Sequence, residues 1–239
     1  MNWERHKMTN AGGMANTLLN PHSYDRSSDR PLSDWILKIL SFDGIHSALS
    51  EVAGADSFRL YQTMLFDHST TRPHQDWIYL DTRPRGHLVA AWVALENIPE
   101  TGIRFYVYPG TQHFEPTVRF TSEPGPAEYQ RFLDELDLML EHWHGPIYAP
   151  PLKKGDIFFW GSRIVHGSVE GTAPDQRRRS IAAHFVPDGF GVGNLDLDFH
   201  HFQERKFGHM HYLHRNLEQP KLANRLRFGL DRIRQKLNQ

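Results

Sequence analysis

The run Leu88–Leu95 (LVAAWVAL) constrains the fold more than any other stretch of the chain. It is apolar without interruption and short, so it reads as a strand buried on both faces, which needs a packed layer on each side. Other short strands surround it. Phe58–Phe66 is one. Ile103–Tyr108 alternates, with Ile103, Phe105 and Val107 on one side and Arg104, Tyr106 and Tyr108 on the other, and Pro109-Gly110 ends it with a turn. Ile157–Trp160 follows the turn Lys154-Gly155-Asp156, and Arg179–Val186 is the last clear strand. Short strands separated by turn signals predict a mainly β chain with flanking helices, an antiparallel sandwich of the jelly-roll kind.

The helical signals lie outside this block. Ser33 is placed to cap a short helix carrying Trp35, Ile36, Leu37, Ile39 and Leu40, and a second is expected from about Gly44 to Val52, stopping before Gly54. Ala127–His142 has Leu133, Leu136 and Leu140 at helical spacing, inside an insertion around 115–153. A C-terminal extension around 200–239 is expected to be helical. Its apolar stripe is Leu222, Leu226, Leu230, Ile233 and Leu237, and its other face bears Arg225, Arg227, Arg232, Arg234 and Lys236. Residues 1–31 are polar and read as irregular structure or a lid. The whole of 1–239 is expected to be one domain.

Composition narrows the chemistry. With 27 basic and 28 acidic residues the formal net charge is −1, so no global field steers the chain to nucleic acid or to a membrane. There is no cysteine, which excludes disulfides, thiolate catalysis and thiolate-ligated zinc or iron–sulfur centres. Any metal must be held by His, Asp and Glu, and 16 histidines are available. No leader-like apolar segment opens the sequence, and no run approaches the roughly 18 apolar residues of a membrane span. These absences predict a soluble, cytoplasmic protein. No feature of the sequence specifies an oligomeric state.

His74-Gln75-Asp76 is the first half of a metal constellation. On a strand, residues i and i+2 project to the same face, so an H-x-D pair offers an imidazole and a carboxylate together. A third ligand must come from a distant strand, and His166, after the apolar strand IFFW and a short turn, is the candidate. Two histidines and one carboxylate on one octahedral face leave three positions open, the donor set of non-haem Fe(II) oxygenases. Downstream lies Arg177-Arg178-Arg179-Ser180. Strand alternation puts Arg178, Ser180, Ala182 and His184 on one face, and Arg179, Ile181, Ala183 and Phe185 on the other. An inward Arg178 offers a bidentate fork to the far carboxylate of 2-oxoglutarate, with a hydrogen bond from Ser180. A slip of one residue would put Arg179 in that place.

Taken in order, these pieces resemble the phytanoyl-CoA dioxygenase family of Fe(II)/2-oxoglutarate oxygenases. The resemblance runs from about Asp43 to Pro187. It is carried by Tyr61-Gln62, His74-Gln75-Asp76, Ala91 to Asn97 (AWVALEN) and Tyr108 to His113 (YPGTQH). Lys154 to Ile157 (KGDI), His166-Gly167-Ser168 and Arg178 to Phe185 complete it. It implies a double-stranded β-helix around iron, with His74, Asp76 and His166 as ligands and Arg178 on the 2-oxoglutarate C5 carboxylate. Gln62 matches a family glutamine that can contact the cosubstrate. The cofactors implied are Fe(II), 2-oxoglutarate and O2. Related halogenases replace the carboxylate ligand with a small residue, so retention of Asp76 favours hydroxylation.

The substrate expected is a small molecule. Arg83 and Arg85, in the polar stretch after the metal motif, together with Arg104 and Arg163, are candidates for contact with an anionic one. Trp92 joins them as a core-strand residue beside the site. Ile78, Phe158 and Trp160 are candidates for apolar lining. Two rival readings remain: a cupin-like metal-dependent isomerase or hydrolase that does not use 2-oxoglutarate, and a non-catalytic jelly-roll binding protein.

Overall fold

The computed structural model describes residues 17–67, 70–118, 126–172, 178–194 and 202–215. Its main sheet is built on β2 (Phe58–Phe66), β8 (Ser180–Pro187), β4 (Val89–Ala94) and β6 (Ile157–Gly161), antiparallel neighbours in that order. The far edge of β2 is shared by β1 (Leu18–Leu19) and by the hairpin β10 (Phe202–Phe207) and β11 (Met210–Arg215), with β11 running parallel to β2. Two short pairs make the facing layer: β3 (Leu80–Arg83) with β9 (Gly191–Asn194), and β5 (Phe105–Val107) with β7 (His166–Ser168). The result is the expected mainly β jelly roll.

The apolar run behaves as its pattern requires. Val89, Ala91 and Val93 point outward into a core shared with Leu60, Leu65, Ile181, Ala183 and Phe185. That core is capped by α1 (Arg30–Leu40) and α2 (Asp43–Ala53) through Ile36, Leu37, Leu40, Ile45 and Leu49. Ala90, Trp92 and Ala94 point inward and pack with Phe105, Val107 and Trp160, which joins the main sheet to the β5–β7 pair. Each face therefore has its own layer.

Several expectations are corrected. Ser33 does not cap α1. The helix starts at Arg30 with Pro31 in its first turn, where a missing N–H costs nothing, and the Ser33 hydroxyl donates to the His22 carbonyl. The extension read as helical from about residue 200 is β over 202–215: two strands meet at the turn Gly208-His209, where Gly208 takes φ +58°. The stripe Leu222–Leu237 lies outside the described residues. The insertion carries α3 (Pro126–Glu141), whose Phe132, Leu133 and Leu136 pack on Trp77, Ile78 and Val165. Ile103–Tyr108 forms a strand only over Phe105–Val107.

One irregularity shapes the inward face. Leu60 pairs with Phe185, and both point outward. The next cross-strand pair is Gln62 with His184, so β2 spends two residues, Tyr61 and Gln62, against one step of β8. This bulge keeps Leu60 and Leu65 in the outer core and turns Gln62 inward opposite His184.

Candidate metal centre

The three sequence candidates converge. One ligand atom each from His74, Asp76 and His166 lies within 4.8 Å of the others. The Nε2 atoms of His74 and His166 sit 3.7 and 3.5 Å from Asp76 Oδ1. His74 and Asp76 do not share a strand face, as their spacing had suggested. His74 forms an isolated antiparallel bridge with His166, through N–H···O bonds of 3.0 and 2.9 Å in both directions. Asp76 opens a single 3-10 turn, Asp76–Ile78. The bridge, not strand alternation, brings the two imidazoles to a ring separation of 4.2 Å.

Both imidazoles are held by their other nitrogen. His74 Nδ1 is 2.9 Å from the Arg72 carbonyl and His166 Nδ1 is 3.0 Å from the Ile164 carbonyl. Each Nδ1–H donates, so each Nε2 presents its lone pair toward Asp76, as metal-ligating histidines do. Burial pulls the His74 pKa down to about 4, helped by His166 and opposed by Asp76, so the ring is neutral at neutral pH. Burial alone would raise the Asp76 pKa. His166 and His184 overcome it and hold the carboxyl well below its usual range. Two imidazoles and one carboxylate with no thiolate suit a ferrous ion, and the donor set fits.

Two further residues complete the centre. Trp160 Nε1 donates to Asp76 Oδ2 at 2.9 Å, and His184 Nε2 lies 3.3 Å from the same oxygen. Sequence reasoning had Trp160 only as apolar lining, and placed His184 on the Arg178 face without a role. The indole N–H was the available signal for Trp160. The signal for His184 was a polar residue recurring at every second position with Arg178 and Ser180.

Arg178 resolves the register question. It is 2% exposed, and its guanidinium lies over Phe66 and Trp92, 5.5 and 5.4 Å from the ring centroids. Arg179 points outward and pairs with Glu96 at 2.9 Å. Burial lowers the Arg178 pKa to about 10, which leaves it charged. Ser180 is fully buried on the same face, its hydroxyl 3.4 Å from the Arg178 carbonyl. Gln62 accepts a hydrogen bond from Arg215 at 3.4 Å.

A scan against family models matches residues 6–180 to the phytanoyl-CoA dioxygenase (PhyH) model. The chain belongs to the phytanoyl-CoA dioxygenase family. Among curated family relatives, phytanoyl-CoA dioxygenase domain-containing protein 1 of Danio rerio is 29% identical over 117 residues, 48% of this chain and 38% of that protein. The chain spans about two-fifths of the length of the curated relatives it matches. Among solved structures, the non-heme alpha ketoglutarate dependent carbocyclase SnoK from nogalamycin biosynthesis aligns with TM-score 0.58 and 21% identity. That alignment covers 82% of this chain and 74% of SnoK. The epimerase SnoN in complex with Fe3+, alpha ketoglutarate and nogalamycin RO aligns with TM-score 0.55 and 19% identity over 87% of this chain and 81% of SnoN. At those identities the likeness establishes the fold.

The substrate candidates lie apart from the triad. Arg85 and Arg163 sit over the Trp77 ring, at 5.3 and 5.9 Å, and Arg163 pairs with Glu115. Arg163 lines a surface cleft of about 580 Å³ with Gly86, Pro109, Gly110 and His113, and none of the three ligands borders it. Arg83 is exposed on β3. Arg104 donates to the Ala149 carbonyl. Trp92 is buried beneath Arg178, nearer the expected cosubstrate anchor than any substrate entrance. No helix among the described residues is long and apolar enough to cross a membrane.

Proposed function

We propose that the protein is an Fe(II)- and 2-oxoglutarate-dependent dioxygenase that hydroxylates a C–H bond of a small molecule. In the balanced reaction, substrate, O2 and 2-oxoglutarate give hydroxylated substrate, succinate and CO2. The observation that carries the reading is a buried His-Asp-His cluster within 4.8 Å, on a jelly roll whose inward face also buries Arg178. Iron, when bound, supplies the activation of O2.

The chain supplies position and dryness. His74, Asp76 and His166 would hold one face of the ion. Trp160 and His184 hold Asp76 Oδ2, which would leave Oδ1 available to the metal. Arg178, between Phe66 and Trp92, would fix the C5 carboxylate of 2-oxoglutarate with Ser180 beside it. Gln62 lies opposite His184 as a further cosubstrate contact. Retention of Asp76 supports hydroxylation over halogenation. SnoK and SnoN are described as a carbocyclase and an epimerase, so the fold also accommodates outcomes without oxygen insertion.

The test is anaerobic addition of Fe(II) and 2-oxoglutarate to the metal-free chain. The visible charge-transfer absorption of a bidentate 2-oxo acid on ferrous iron is expected. Asp76→Ala should abolish it, and Arg178→Ala should weaken it by raising the 2-oxoglutarate concentration needed. Tight iron binding without the absorption would favour the cupin-like isomerase or hydrolase reading. No iron binding would favour a non-catalytic protein. With a substrate in hand, label from 18O2 in the product separates hydroxylation from cyclisation or epimerisation.

A further inference from the structure

Arg215, the last residue of β11, lies on the inward side of the main sheet. Leu213, two residues earlier, packs with Tyr61, Leu80 and Val186. Met210 and Tyr212 point the other way, into the outer core. The Arg215 guanidinium rests over Tyr61 and Phe202, 5.7 and 5.0 Å from the ring centroids. Its Nη2 donates to Gln62 Oε1 at 3.4 Å. The bulge in β2 places Gln62 there, directly across from His184, which in turn holds Asp76. Two polar contacts therefore sit side by side on adjacent strands: His184 with the metal-site carboxylate, and Gln62, its cross-strand neighbour, with Arg215.

Among the described residues, no carboxylate pairs with Arg215, and its buried Nε has no hydrogen-bond partner. Five other described arginines are paired with carboxylates: Arg59 with Asp188, Arg72 with Asp137, Arg163 with Glu115, Arg179 with Glu96 and Arg205 with Asp25. A guanidinium that is largely withdrawn from water, set over two rings and held by the Gln62 amide beside the Tyr61 hydroxyl is pre-organised for an oxyanion, and none of the described residues supplies a carboxylate to it. Arg178 is the only other described arginine set over aromatic rings on this face, and the proposed function assigns it to the cosubstrate.

We propose that Arg215, oriented by Gln62, is the anchor for a carboxylate or phosphate group on the substrate. This rests on the oxygenase reading of the neighbouring centre. Arg215 on β11 and His184 on β8 are two strand spacings apart, about 10 Å. The anionic substrate expected from the sequence is kept, and its contact moves from the Arg83–Arg85 stretch to a strand no motif had marked.

The experiment follows the Arg215 Nε–Hε NMR resonance in the full chain, assigned by its loss in R215K. Inorganic phosphate and acetate are titrated separately at constant ionic strength, with chloride as the control. A saturable shift with either probe at millimolar concentration, retained in R178K and absent with chloride, is the expected result. The probe that binds more tightly separates a phosphate from a carboxylate substrate. No shift with either, or an equal shift with chloride, overturns the proposal. The Fe(II)/2-oxoglutarate absorption is measured on the same samples. If it is present while Arg215 is silent, the anchor alone fails; if it is absent while Arg215 responds, the oxygenase reading fails and the anion site stands. Once a substrate is known, R215Q should raise its KM at least tenfold and leave the KM for 2-oxoglutarate unchanged. A change in kcat alone would mark a structural role.

Discussion

Two buried carboxylates five residues apart have opposite surroundings. Asp81 is 2% exposed and is held mainly by its own turn, through the backbone N–H of Thr82 at 2.8 Å and that of Gly86 at 2.9 Å, with the distant Ser162 hydroxyl added at 3.2 Å. Burial still raises its pKa. Asp76 is 3% exposed and has side-chain donors from distant strands on one oxygen, while the other oxygen faces two imidazoles. Its pKa is lowered despite the same burial. A carboxylate that organises a turn is satisfied by the backbone around it. A carboxylate kept for a ligand has one oxygen held by N–H donors and the other aimed at a shared point.

Paired substitutions test that contrast most strongly. Asp76→Asn should weaken Fe(II) binding by more than the roughly 10–100-fold typical of losing an outer hydrogen-bond partner, since a ligand itself is lost. Asp81→Asn should leave Fe(II) affinity unchanged and lower the unfolding free energy by roughly 1–3 kcal/mol, since an amide NH2 would then face a backbone donor. Isothermal titration with Fe(II) and denaturant melts read the two effects. Iron loss in a stable Asp81→Asn chain would break the comparison.

The second test concerns what holds Asp76. His184→Leu should weaken Fe(II) binding roughly 10–100-fold, whereas His184→Gln should recover most of it by donating again to Oδ2. The Fe(II)/2-oxoglutarate absorption should follow the same order. Equal loss in both variants would mean that His184 acts by filling space and that the Trp160 hydrogen bond alone orients the carboxylate.

The candidate ligands were legible because they sit in two short motifs, His74-Gln75-Asp76 and His166-Gly167-Ser168, while alternation put Arg178 and Ser180 on one face and left Arg179 as the register alternative. The residues that act through contact were not. Asp76 and His184 are 108 positions apart, and nothing in either neighbourhood names the other. The β2 bulge was hidden for a different reason: in Phe58–Phe66 the polar residues Arg59, Gln62 and Thr63 fall at no two-residue period, so the sequence carries no parity to be broken. The C-terminal hairpin was misread because a strong helical stripe further along drew the assignment over Phe202–Arg215. Its turn glycine, Gly208, followed by the run Met210-His211-Tyr212, was the available signal. Gly167 shows a constraint the motif implied without explaining. A Cβ there would lie 2.6 Å from the Tyr106 hydroxyl and 2.8 Å from the Thr71 carbonyl, so the residue after His166 must be glycine for β7 to pass.

The smallest effect separates structure from site by pH. His22 is 1% exposed and bridges Thr63 Oγ1 at 2.6 Å and the Leu213 carbonyl at 3.3 Å, joining the N-terminal segment to β2 and β11. Burial lowers its pKa to about 3 from an ordinary 6.5. Between those values the unfolded chain binds a proton that the folded chain refuses. The His22 contribution is therefore complete above pH 6.5 and is lost as pH falls toward 3. His22→Leu should cost roughly 1–3 kcal/mol at pH 7, from the Thr63 and Leu213 groups left without their partner. The gap to wild type should then narrow by about 1.4 kcal/mol per pH unit below 6.5, so that the two chains converge near pH 5. The pH at which Fe(II) is released should be the same in both, because His22 has no contact with the triad. A release point that moved with His22→Leu would show that acid unfolding, rather than protonation of the ligands, empties the metal centre.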